Sequence, residues 1–135
     1  MAVTEAPREV VVLDTSALLY WTLAPERLSR AAADCLGSAE EKLVLSVSLW
    51  EIALKNRRGA LELPCSVREY MERLGKVQDL QIRLLDAGLA VAGALLDWAH
   101  RDPVDRWIAA LARSVKAPLV SSDRHLREFY HDTVW

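Results

Sequence analysis

Short unbroken apolar runs alternate along this chain with longer stretches in which apolar residues recur every three or four positions. The first run, REVVVLD over 8–14, shows no in-and-out alternation, which suits a strand covered on both faces, as in a parallel sheet. TSALLYWTL changes to helical chemistry and is closed by Pro25. LSRAAADCLG then predicts a second helix, with Ser29 near its start and Gly37 as its stop. KLVLS (42–46) predicts a second strand, and SLWEIALKNRRG a helix with Leu49, Ile52 and Ala53 at helical spacing and Gly59 just past its end. After the break at Pro64, SVREYMERLG reads as a helix ending near Gly75, and LQIRLLD (80–86) as a third strand. DAGLAVAGALLDWAH (86–100) predicts one further helix. In PVDRWIAALARSV, Val104, Trp107, Ile108, Leu111 and Val115 form one apolar stripe that predicts the next. APLVSSD (117–123) is a fourth short strand, RHLREFY a short helix, and TVW a candidate edge strand. Strands alternating with helices at this spacing predict an α/β fold. Its mostly parallel sheet of four or five strands is flanked by helices joined through right-handed crossovers.

With 135 residues, 52% of them hydrophobic and 27% charged, the chain matches one soluble globular domain spanning 1–135, with no linker or repeat. Lys plus Arg number 17 against 19 for Asp plus Glu, so no overall basic field advertises nucleic acid and any cationic patch must be local. Cys35 and Cys65 stand far apart in no metal-ligand spacing and read as reduced packing residues. MAVTEAPREV has no signal-peptide core and no stretch has the length of a membrane span, so a cytoplasmic location is expected.

The acids change the picture. Asp102 before Pro103 is a good N-cap, Ser48 and Glu51 have capping-box spacing, and Asp14 and Asp123 each directly precede a helix, so every acid has a structural reading. Collected, they are harder to assign to capping alone. Asp14 and Asp123 end predicted parallel strands while Glu51 and Asp105 begin helices at the same edge, where open α/β folds gather ligands. Carboxylates crowded there must raise their pKa values or attract a cation. With oxygen-only donors that cation is hard, Mg²⁺ or Mn²⁺, as one ion or two. Asp102 keeps its role as a supporting cap; Asp105, about 100° around the helix from Val104, is free to face the sheet edge as a ligand.

VVLDTSALLYW, SVSLWEIALKNRRGALELP, HRDPVDRWIAALA and SSDRHLREFY, in this order and spacing, resemble the four acid-bearing segments of the PIN-domain ribonucleases, in particular the VapC-type toxins of bacterial toxin-antitoxin pairs. The likeness runs nearly end to end. It implies a PIN-like fold whose active-site acids are Asp14, Glu51, Asp105 and Asp123, with Ser16 and Ser122 as supporting hydroxyls. Ser122 stands where threonine is common. It further implies Mg²⁺- or Mn²⁺-dependent endonucleolytic cleavage of RNA, a homodimer, and a cognate antitoxin that blocks the site.

Such a site hydrolyses a phosphodiester without a nucleophilic side chain. On this reading Asp14 and Asp105 hold the main metal, Asp123 completes its shell or holds a second ion, and Glu51 orients the attacking water or a metal-bound one, so that all four acids are candidate metal ligands. Acids repel RNA, so a cationic rim is needed; Lys55, Arg57 and Arg58 at the end of one helix, with Arg106, are the candidates, and Arg101, Arg124 and Arg127 also lie near acids in sequence. The tryptophans at 21, 50, 98, 107 and 135 are expected in the core or a dimer interface, and His100, His125 and His131 at the surface or in packing. A mean hydropathy of +0.06 favours apolar surface covered by a second copy or an antitoxin segment. Two rivals compete: a non-catalytic binding module using the acids only as caps, and a phosphoryl-transfer domain with Asp14 as nucleophile. The second lacks a D-x-D pair and a late-strand lysine.

Overall fold

The computed structural model describes residues 9–135; Arg8 and the rest of 1–8, including most of the stretch read as lacking a signal core, lie outside the described residues. Five strands form one sheet in the order β3-β2-β1-β4-β5: β1 Val10–Leu13, β2 Glu41–Leu45, β3 Leu80–Arg83, β4 Leu119–Val120 and β5 Thr133–Val134. Every pairing is parallel, with Leu13 opposite Val44 on one side and opposite Val120 on the other. The helices are α1 Thr15–Leu23, α2 Arg30–Ser38, α3 Ser46–Arg57, α4 Val67–Leu74, α5 Ala87–Leu95, α6 Pro103–Val115 and α7 Arg124–Phe129.

The unalternating strands are explained by two apolar layers. Val11, Leu13, Val44 and Val120 point into a core with α1 to α4, where Leu18, Leu36, Ile52 and Leu74 are buried. Val12, Leu43, Leu45 and Leu119 point into the other, with Ile108, Ala109, Leu111, Ala112 and Leu126 from α6 and α7. Successive strand residues thus reach opposite layers and both must be apolar.

Several boundaries differ from the sequence expectation. Helix α2 runs through Gly37 to Ser38 and ends where the Ala39 amide bonds the Cys35 carbonyl. The helix predicted over 86–100 stops at Leu95, because the side chain of Arg106 takes carbonyls that continued helix would need. The α6 stripe holds at Val104, Ile108 and Leu111, but Trp107 and Val115 are only half-buried and small Ala109 and Ala112 complete the buried face. Trp107 turns toward α5 instead, where a Cβ at Gly93 would lie 2.4 Å from its Cδ1, so only glycine permits this approach. Trp21, Trp98, Trp107 and Trp135 pack against the two cores as partly buried residues, whereas Trp50 is 58% exposed and not a core residue. Both cysteines are free, and among the described residues no helix is long and apolar enough to cross a membrane.

Candidate active site

The sheet order reverses between β1 and β4: the chain leaves β1 toward β2 and β3, then returns to β1's other edge. At such a switch point the connections diverge and leave a crevice beyond the carboxyl ends of the strands. Asp14 follows β1 there, with its amide bonded to the Val120 carbonyl at 3.2 Å. Its carboxylate is buried, Oδ1 accepting from the Ala17 amide at 2.8 Å and Oδ2 from the Ser121 hydroxyl. Asp14 is therefore both the N-cap of α1 and the floor of the crevice.

From β4, Ser121 is fully buried; its oxygen also accepts the Asp123 amide at 3.0 Å, and Asp123 caps α7 through Leu126. From α6, Asp102 caps the helix through the Val104 amide at 2.9 Å, and Asp105, one turn in, meets His100 with 2.8 Å between Oδ2 and Nε2. Burial pushes the Asp14 carboxyl up to about 6, hydrogen bonds from Ser121 and Ala17 oppose the rise, and the negative charges of Asp105 and Asp123 add to it. Asp105 is also raised, mainly by burial, against the His100 hydrogen bond and with repulsion from Asp102 and Asp123. The charges of Asp105 and Asp123, on distant segments, thus reach Asp14, and that of Asp123 reaches Asp105. Among the described residues no hydrogen-bond donor reaches Oδ1 of Asp105 or Oδ2 of Asp123.

Helix α3 packs against α1 and α6. Thr15 donates to Ser48 at 2.9 Å, both buried, and Ser46 accepts the Leu85 amide at 3.0 Å. Glu51 lies one turn beyond Ser48, with Lys55 at 3.9 Å as its ion-pair partner. It is not among the charges that raise Asp14 or Asp105. An apolar cavity of about 410 Å³ between α1 and α4, lined among others by Trp21, Thr22, Cys65, Tyr70 and Leu74, has no acid in its lining and stands apart from the acids at the sheet edge.

A family model described as PIN domain matches residues 11–132. The chain belongs to the PIN-domain family. This PIN domain is 31% identical over 128 residues to Ribonuclease VapC22 of Mycobacterium tuberculosis, covering 93% of this chain and 98% of that protein. Its fold is similar to that of VapC20 of the same organism, described as a Sarcin-Ricin loop cleaving toxin (TM-score 0.64, 16% identity, 87% of this chain and 93% of that one). It is equally similar to VapBC2 from Rickettsia felis bound to a promoter DNA fragment (TM-score 0.66, 13% identity, 93% and 99%).

The PIN domain departs from the sequence expectation at five places. Ser48 and Glu51 do not form a capping box: α3 starts at Ser46, and Ser48 is spent on Thr15. The hydroxyl that bridges acids is Ser121, whereas Ser122 is exposed, because the Ser121 amide continues the strand ladder to Val134 at 3.1 Å and turns its side chain inward. Ser16 is exposed and makes no hydrogen bond among the described residues. Arg106 is not free for a substrate: its guanidinium donates to the carbonyls of Gly93, Ala94, Leu96, Trp98 and His100. His100, expected at the surface or in packing, does pack against Trp98 and His125 but is in addition the partner of Asp105. Lys55, Arg57 and Arg58 are exposed at the end of α3 as a rim requires, and so are Arg101, Arg124 and Arg127, with Arg124 paired to Glu128 at 2.9 Å. His100, Asp102 and Asp105 place ligand atoms within 4.8 Å of one another, the one such group among the described residues; Oδ1 of Asp102 caps α6 and Nε2 of His100 bonds Asp105.

Proposed function

We propose that this PIN domain is an endoribonuclease dependent on one or two Mg²⁺ or Mn²⁺ ions, and that it is the toxin of a toxin-antitoxin pair acting in the cytoplasm. The observation that supports this reading is that the charges of Asp105 and Asp123 reach the buried carboxylate of Asp14 at the switch point, while Oδ1 of Asp105 and Oδ2 of Asp123 accept no hydrogen bond among the described residues. All donors are oxygens, which fits a hard divalent ion and not a soft one. Asp14 and Asp105 would hold the ion, Asp123 would complete the shell or hold a second, and Asp102 supports them by capping α6. A bound ion supplies an acidified water and neutralises charge as the phosphodiester is attacked.

Glu51 would orient the attacking water or a metal-bound one. Lys55, Arg57 and Arg58 hold RNA phosphates against the negative crevice. Kinship with a ribonuclease at 31% identity supports the substrate class. The toxin-antitoxin complexes among the structural neighbours support an antitoxin partner. Exposed Trp50, Leu84, Val91 and Leu95 offer apolar surface to a second copy, giving a homodimer, or to that antitoxin.

The test is RNA cleavage by metal-stripped protein with Mg²⁺ or Mn²⁺ added back, for the wild type, Asp14→Asn and Asp105→Asn, each shown to be folded. Cleavage should return with metal in the wild type and fall by at least about 100-fold in both variants. Metal-independent cleavage, or wild-type rates in both variants, would overturn the proposal in favour of another chemistry, and no cleavage by the wild type with or without metal would overturn it in favour of a non-catalytic module.

A further inference from the structure

The segment 96–102 between α5 and α6 has no regular secondary structure, yet it is held on two sides. On one side is Arg106. A guanidinium has five N–H donors, and here Nε reaches the Gly93 carbonyl at 3.0 Å, one terminal nitrogen reaches Ala94 at 3.3 Å and Leu96 at 2.8 Å, and the other reaches Trp98 and, at 2.9 Å, His100. On the other side are two rings of α7. Trp98 stacks on Phe129 with centroids 4.4 Å apart, and His100 stacks on His125 at 4.5 Å. The two ring pairs lie one helical turn apart, and α7 is the helix that Asp123 caps.

The product of this bracing is a single directed contact, His100 Nε2 to Asp105 Oδ2 at 2.8 Å. Among the described residues it is the one hydrogen bond made to the Asp105 carboxylate. A carboxylate on a helix surface otherwise turns among rotamers, and this bond fixes which way the oxygens of Asp105 face.

We propose that His100 is a positioning residue: it locks the Asp105 carboxylate through Oδ2, leaving Oδ1 for a cation shared with Asp14 and Asp123, and Arg106 with the Trp98–Phe129 and His100–His125 stacks holds the imidazole in place. The inference rests on the metal-dependent reading above. Partners that orient a metal ligand in this way change metal affinity or activity by roughly 10- to 100-fold when removed.

His100→Phe keeps a stacking ring and loses the donor; His100→Gln loses the ring and keeps an N–H at similar reach. Mn²⁺ binding to metal-stripped protein, followed by calorimetry, is measured beside kcat and KM on RNA and the melting temperature. His100→Phe should bind Mn²⁺ about 10-fold more weakly and lose kcat in step, with KM and melting temperature unchanged. His100→Gln should stay within about threefold of the wild type, since the bond to Asp105 survives. A merely structural ring would give the reverse order, with a lowered melting temperature in His100→Gln. The inference is overturned if His100→Phe matches the wild type in metal affinity and kcat, or if both variants fall together. A wild type that binds no Mn²⁺ and cleaves no RNA instead refutes the ribonuclease reading, and this inference with it; a wild type that does both while His100→Phe equals it refutes the role of His100 alone.

Discussion

Replacing Asp14 with asparagine should kill activity and stabilise the metal-free protein. Burial and two neighbouring carboxylates lift the Asp14 carboxyl from 3.8 to about 6. At about 1.4 kcal/mol per pH unit, holding this side chain ionised costs the metal-free fold about 3 kcal/mol at neutral pH. The folded state binds the proton more tightly than the unfolded chain, so stability falls as pH rises between roughly 4 and 6 and is flat above that. Below that window the cost is absent. Asparagine cannot ionise but retains an oxygen to cap α1 at the Ala17 amide, and a polar atom for Ser121. Chemical unfolding in chelator should therefore find Asp14→Asn about 2 to 3 kcal/mol more stable than the wild type at pH 7.5, with the advantage about halved at pH 5. Millimolar Mg²⁺ should stabilise the wild type and leave the variant unmoved, since only the former binds. An Asp14→Asn protein less stable than the wild type at both pH values would show that the acid is a structural cap and that the crowding argument is wrong.

Glu51→Gln should lower kcat by roughly 100-fold while Mn²⁺ affinity, read by calorimetry, moves less than about threefold; a collapse in affinity would make Glu51 a ligand instead. Changing Lys55, Arg57 and Arg58 together to alanine should raise KM and flatten the logarithmic salt dependence of KM by about 2, with kcat little changed; an unaltered salt slope would remove them from the RNA-binding rim. Gly93→Ala drives a methyl group to 2.4 Å from Trp107 Cδ1 and should cost about 1 to 3 kcal/mol in unfolding experiments; an unchanged midpoint would mean that α5 and α6 repack freely.

The strands were legible because burial on both faces leaves a simple trace: Val10–Leu13 and Leu43–Leu45 are apolar at every position. The acids at the strand ends were legible for a related reason, as a charge directly after such a run marks the sheet edge. Local pattern failed where a distant group decided. Ser48 has capping-box spacing, but Thr15, 33 residues away, claims its hydroxyl. Ser121 and Ser122 are indistinguishable in sequence, and only pairing with β5 turns the first inward. Arg106 looked like a rim cation because nothing in the sequence shows that carbonyls from 93 to 100 will converge on it. His100 carried a faint signal, two residues before a capping aspartate and five before Asp105, but its stacking on His125 depends on α7 folding back.

The central claim is that Asp14, Asp105 and Asp123 share a divalent cation. It is tested most directly by titrating Mn²⁺ into metal-stripped protein at pH 7.5 and recording the heat for the wild type and the three single asparagine variants. The account predicts a saturable isotherm for the wild type that is lost in Asp14→Asn and Asp105→Asn and weakened in Asp123→Asn. An isotherm of the same affinity in all four proteins, or none in the wild type, would contradict it.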